Sequence, residues 1–118
     1  MPQTFPKARR LGRRADFQRA YEQGTRAHGR FMTLFVIPNS LAFSRLGIAA
    51  TKKIGGATIR NRAKRRTREV FRTMTSPDGF DMVVVARREL IDAPWSDLRE
   101  EFRALLGRQR RTTNRRSR

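Results

Sequence analysis

The chain has 118 residues and a mass of 13.8 kDa, enough for one small domain. Only 37% of it is hydrophobic, and 28 Lys and Arg stand against 10 Asp and Glu, a formal net charge of +18. That excess repels itself in a free compact fold and points to a polyanionic partner, while the absence of cysteine excludes disulfides and thiolate zinc sites. No segment approaches the roughly 18 consecutive apolar residues of a membrane span, and no amphipathic anchor is evident, so nucleic acid rather than membrane is the expected partner. The start, MPQTFPKARR, lacks the apolar stretch of a secretory signal, which makes a cytoplasmic location the expectation.

Residues 1–14 carry Pro2, Pro6 and five basic side chains and read as an extended basic arm. A short helix is expected from Ala15 to Gln23, because Phe17, Ala20 and Tyr21 share one face and Gly24 supplies a stop. Phe31 to Ile37 (FMTLFVI) is apolar and β-prone and closes on Pro38-Asn39, a strand and turn. Ser44 to Thr51 (SRLGIAAT) reads as a second strand, weakened by Gly47 and two alanines. A basic loop, Lys52-Lys53-Ile54-Gly55-Gly56, leads into helical periodicity from Ala57 to Met74. There Ile59, Ala63, Thr67, Val70, Phe71 and Met74 form one stripe, before Pro77-Asp78-Gly79 breaks the helix.

Phe80 to Ala86 (FDMVVVA) is the clearest strand, its valine run implying burial on both faces. Pro94 fits the first turn of a last helix in which Trp95, Leu98, Phe102, Leu105 and Leu106 share a face, with Gly107 as its end. Residues 108–118 hold six arginines and are expected to be a disordered basic tail. The pattern predicts an α+β domain over residues 15–107, a small sheet covered by helices. Charge is uneven along it. From Asp78 to Glu101 the local net is −4, so the positive excess gathers in the arm, the middle and the tail.

The densest feature is IRNRAKRRTREVFR, Ile59 to Arg72, with seven basic residues and Glu69 as its one acid. A solvated helix face would mix signs in i, i+4 pairs. Here the apolar stripe must face the sheet, so the arginines spread over the opposite side, where their planar forks suit phosphate oxygens. Gly55 and Gly56 can either let backbone amides approach a phosphate or simply form a turn. Phe17, Tyr21 and Phe35 are either core aromatics or stacking platforms for unpaired bases.

Catalysis has little support. His28 is the single histidine, beside Gly29 in an expected loop, and Glu100-Glu101 point in different directions on a helix. Asp78 and Asp81 flank a turn, where Asp is favoured locally. No cluster has metal-ligand spacing, and no G-x-x-x-x-G-K-[ST] loop is present. The expectation is no catalytic residue and no metal site on this chain.

Gly47 to Arg72 (GIAATKKIGGATIRNRAKRRTREVFR) resembles the signature of the protein subunit of bacterial ribonuclease P. The hallmark is Arg60-Asn61-Arg62 followed by Lys64-Arg65 and Arg68-Glu69, with Lys52-Lys53-Ile54-Gly55 as lead-in. Upstream, Asp16-Phe17 with Tyr21 and Gly24 is similar to the family's first helix; downstream, DMVVVARR looks like its last strand. The similarity runs from about Leu11 to Leu106. It implies an α-β-β-β-α-β-α domain, with one short strand more than the residues alone suggest. It also implies a left-handed β-α-β crossover, although such units are right-handed in about 98% of cases.

The resemblance further implies the non-catalytic protein subunit of a ribonucleoprotein endonuclease. A catalytic RNA, with Mg2+ held mainly by that RNA, would remove the 5′ leader of precursor tRNA, and no obligatory protein partner is implied. Carried over by position, Arg60, Asn61, Arg62, Lys64, Arg65, Arg68, Lys52 and Lys53 would bind the catalytic RNA. Phe17, Tyr21 and Phe35 would line a cleft for the leader, with Leu34 as the alternative to Phe35. Arg66 and Thr67 depart from the pattern, standing where many relatives are apolar. The competing readings are a ribosomal or other structural RNA-binding protein, a DNA-architectural protein and a stand-alone nuclease.

Overall fold

The computed structural model describes residues 9–73 and 78–116. Two seven-residue strands, β2 (Met32–Pro38) and β4 (Phe80–Ala86), pair antiparallel at the centre of a four-stranded sheet. β1 (Thr25–His28) pairs antiparallel with β2 on one side, and β3 (Arg45–Ala49) runs parallel to β4 on the other, giving the order β1-β2-β4-β3. α1 (Arg14–Gln23) precedes the sheet, α2 (Ala57–Thr73) connects β3 to β4, and α3 (Trp95–Arg116) follows β4. This is the expected α+β domain with α-β-β-β-α-β-α order.

Strand alternation splits the side chains between two faces. Leu34, Val36, Met82 and Val84 point into a large core with Ala63, Val70 and Phe71 of α2 and Leu98, Phe102, Leu105 and Leu106 of α3. Phe71 and Phe102 meet there edge-on, their ring centroids 6.4 Å apart. On the other face Ile37 and Val83 form a small cluster with Leu11 and Ala20, flanked by the partly buried Phe17, Phe35 and Val85. Met82, Val83 and Val84 are all fully buried, as the valine run implied for a central strand.

β1 is the strand the residue pattern misses. Its four residues, Thr-Arg-Ala-His, alternate buried and exposed and carry no apolar run, and their pairing with Val36 to Thr33 makes the strand. His28 therefore sits in a strand rather than a loop, with Nδ1 3.1 Å from the Thr33 hydroxyl. Part of the expected free arm is also tied down: Arg10 bridges to Leu46, and the Leu11 N–H donates to the Leu46 carbonyl at 2.8 Å. Residues 1–8, Met74 and Pro77 lie outside the described residues.

α3 corrects a further expectation. It passes through Gly107 and continues to Arg116 instead of yielding to a disordered tail at residue 108. A lone helix glycine costs about 1 kcal/mol relative to alanine, and the Arg and Gln around it are good helix formers, so the signal is weak as a stop. Gly47, by contrast, is required where it stands. A Cβ there would lie 2.8 Å from the Phe17 ring and 2.9 Å from the Leu11 Cβ, so β3 admits both neighbours only because this residue has no side chain.

Two carboxylates, one buried and one half-buried, fasten the loops. Asp81, only 1% exposed, accepts from Arg45 Nε at 2.8 Å, Arg45 Nη2 at 2.7 Å and Asn39 Nδ2 at 2.9 Å. It is thus a β4 residue anchoring β3 and the loop before it, not a residue placed for a local turn. Glu101 on α3 accepts from the backbone N–H groups of Arg30 and Phe31 at 2.6 and 2.8 Å, closing the β1–β2 turn. Glu100 is exposed, and the two acids do not form a pair.

Candidate nucleic-acid interface

α2 is positioned by its apolar stripe: Ala63, Thr67, Val70 and Phe71 are buried. Ile59 is 37% exposed and covers Gly55 at the start of the helix instead of joining the core. At about 100° per residue, the remaining side chains divide into separate rows. Asn61, Arg62 and Arg65 are exposed, while Arg60, Lys64 and Arg68, each one turn apart, are half-buried along the flank nearest β3. Among the described residues, Lys64 and Arg65 face no acidic partner. Arg62 reaches Asp92 only at 4.0 Å, with both side chains largely exposed, a pair worth little in water. Arg72 does turn to an acid, Glu69, one turn back.

Arg66 behaves differently from its neighbours. Its guanidinium donates to the carbonyls of Leu90 and Ile91 at 2.8 and 2.7 Å and to that of Ala93, and lies over the Trp95 ring. It thereby ties α2 to the turn that leads into α3. Burial, and then repulsion from Arg62, pull its pKa below the ordinary arginine value, with Asp92 opposing. Thr67 next to it is satisfied by donating its hydroxyl to the Ala63 carbonyl at 2.8 Å. Both departures from the family pattern are thus accommodated inside the fold.

Lys52 and Lys53 are exposed on a 3-10 turn, Lys52–Ile54, directly before α2. Gly55 closes that turn at φ 147°, a conformation that favours glycine. Its N–H donates to the Lys52 carbonyl at 3.2 Å. The turn accounts for Gly55 without any ligand.

On the opposite sheet face, α1 brings three rings together. Tyr21 packs edge-on against Phe35 with centroids 4.9 Å apart, and Phe17 lies 6.4 Å from Tyr21. Phe17 and Phe35 are half-buried, whereas Tyr21 is 41% exposed, so the trio combines a packed base with a ring edge open to solvent. Burial raises the Tyr21 hydroxyl above the ordinary tyrosine range. Leu34 is fully buried in the other core, so the ring on the α1 side is Phe35.

Both the sequence and the fold match known proteins. A sequence profile of the family Ribonuclease P covers residues 5–110. The chain belongs to the ribonuclease P protein family. The ribonuclease P protein component of Caldanaerobacter subterraneus subsp. tengcongensis is 36% identical over 102 residues, 85% of this chain and 88% of that protein. That of Dehalococcoides mccartyi is 37% identical over 99 residues, 84% of this chain and 82% of that protein. Among solved structures, the RNase P protein from Thermotoga maritima superposes with a TM-score of 0.76 at 35% identity, covering 84% of this chain and 96% of that one. The Staphylococcus aureus RNase P protein gives 0.75 at 32% identity, covering 86% and 94%. Membership places the chain in tRNA processing, as the protein component of a ribonucleoprotein.

The residue pattern did not single out Arg45, Asp81 or Glu101 as anchors of the fold that carries these surfaces. Their partners lie 36 residues away for Arg45–Asp81 and 70 or more for Glu101, beyond any spacing rule.

Proposed function

We propose that this chain binds the catalytic RNA of ribonuclease P through α2 and holds the 5′ leader of precursor tRNA on the α1 face. Asn61, Arg62 and Arg65, with Lys52 and Lys53 at the entry to the helix, would meet the folded RNA; Arg60, Lys64 and Arg68 extend that surface toward β3. Phe17, Tyr21 and Phe35 offer an unpaired leader ring faces that tolerate any sequence. The observation that carries the reading is the scarcity of acidic partners along α2: the cations are held on a rigid helix and left to an outside anion.

Among the described residues no group of three or more His, Cys, Asp or Glu is placed to hold a metal ion. On this reading, which the family resemblance implies, the RNA with its Mg2+ carries the chemistry and the protein's task is electrostatic. Catalytic RNA and substrate are both polyanions, and a chain of charge +18 between them offsets their repulsion. With about six phosphates neutralised, log K for RNA binding falls with log salt at a slope of roughly −4 to −5.

Reconstitution tests this directly. Purified protein is mixed with its cognate ribonuclease P RNA and a precursor tRNA at low magnesium, and 5′-end cleavage is measured. Stimulated cleavage at the mature 5′ end is expected, and Arg62→Ala weakens holoenzyme assembly. No stimulation would return the chain to the class of structural RNA-binding proteins.

A further inference from the structure

One acid from outside α2 reaches its exposed cationic row. Asp92 stands in the turn between β4 and α3, its side chain 89% exposed and its Oδ1 4.0 Å from Arg62 Nη2. The turn holds it there firmly. Leu90, Ile91 and Ala93 around it are buried, and the carbonyls of all three accept from the Arg66 guanidinium. The Ala93 N–H also closes back on the Leu90 carbonyl at 3.4 Å, so the backbone is pinned on both sides of Asp92. The fold gains little from the carboxylate itself, because Arg62 and Asp92 are both largely exposed and such pairs stabilise weakly. The border is one-sided: on the flank toward β3, Arg68 faces Arg10, a second cation.

We infer that Asp92 is a specificity residue: a fixed negative charge beside Arg62 that penalises RNA presenting a phosphate there and spares RNA presenting a hydrogen-bond donor. The inference rests on the α2 docking reading above and refines it. Arginines on a rigid helix accept any phosphate, so α2 alone would hold RNA by charge with little discrimination. Discrimination is gained by a repulsive element set among the attractive ones. At 4.0 Å from Arg62, Asp92 lies well inside the Debye length of roughly 8 Å at physiological salt, so a phosphate seated on Arg62 feels it. A docked RNA escapes the penalty by setting a ribose hydroxyl or a base amine against the carboxylate, which accepts from either. A folded RNA keeps such a group at a fixed place relative to its phosphates, and an arbitrary polyanion does not. Asp92 borders α2 on its α3 side while the aromatic trio lies across the sheet, so the discrimination concerns the catalytic RNA.

The test compares binding of the full chain, at fixed salt, to its cognate ribonuclease P RNA and to a scrambled-sequence RNA of equal length. The two RNAs carry the same number of phosphates. Asp92→Asn removes the charge and keeps the shape of an exposed side chain. The cognate-to-scrambled affinity ratio should fall about two- to five-fold, the range of one exposed charge pair, mainly because the scrambled RNA binds more tightly. Asp92→Glu keeps the charge and should keep most of the ratio. In an Arg62→Ala background, Asp92→Asn should change the ratio much less, because two residues acting on one phosphate are not additive. Equal tightening for both RNAs would reduce Asp92 to one unit of net charge and overturn the inference. An effect of full size without Arg62 would overturn it too. If the wild-type chain shows no preference for its cognate RNA, or Arg62→Ala leaves cognate binding intact, the fault lies in the docking reading of the preceding section.

Discussion

The two faces of the sheet are built to different standards. Under α2 and α3, of 17 and 22 residues, the strands bury a continuous core in which Met32, Leu34, Leu98, Phe102 and Leu105 are fully enclosed. Under α1, a helix of ten residues, the cluster is four buried side chains wide, and its rings stay partly open. A small domain with this much self-repelling charge has every reason to seal both faces. Leaving one thinly covered, with aromatic edges on it and cations at its rim, separates the work of holding the fold from the work of holding a ligand.

Cutting into each face should produce opposite phenotypes. Phe102→Ala removes a fully enclosed ring touching Phe71, and should cost about 3–5 kcal/mol, visible as a large drop in the thermal midpoint. Tyr21→Ala removes a ring that is 41% exposed. It should cost about 1 kcal/mol or less, while weakening precursor tRNA over leaderless tRNA in binding assays. If Tyr21→Ala destabilised the domain as much as Phe102→Ala, the thin face would be ordinary core and the division would fail.

Asp81 tests whether the seam between the faces is a structural necessity. Asp81→Ala strips three hydrogen bonds from Arg45 and Asn39 at the start of β4. Loss of one partner of a buried ion pair costs about 3 kcal/mol. The expected readout is a lower urea midpoint together with faster hydrogen exchange in β3, whose register with β4 begins at Arg45↔Asp81. Unchanged exchange in β3 would show that backbone pairing alone holds the strand.

Much of this was legible in the residues, and the failures have a common cause. Apolar runs and helical periodicity located α1, α2, β2, β3 and β4, because each buries its own face and must carry that face in its sequence. β1 was invisible, since its stability comes from pairing with β2 and its Thr-Arg-Ala-His has no face worth burying alone. Asp81 looked like a turn residue because its partner Arg45 is remote in sequence. Gly107 looked like a helix end because glycine commonly follows the last turn, yet one glycine does not stop a helix whose neighbouring Arg and Gln favour it. The basic surface was evident as a charge run, but the run alone did not show which cations serve the fold.

Arg65 and Arg66 make that last distinction measurable with two adjacent residues. Arg66 is committed to three backbone carbonyls and to Trp95, whereas Arg65 is exposed. Arg66→Met keeps the bulk of the side chain and leaves those carbonyls to water, so it should lower stability by about 1–3 kcal/mol. The salt slope of RNA binding should barely move, since no phosphate contact is lost. Arg65→Ala should do the reverse. Its thermal midpoint stays within the scatter of surface substitutions, about 0.5 kcal/mol, and the slope becomes shallower by about 0.9 if the contact is to duplex-like RNA. Identical salt slopes for both variants would mean that a charge run acts only by its total, and that folding α2 against its own turn assigns no separate duties to the arginines it carries.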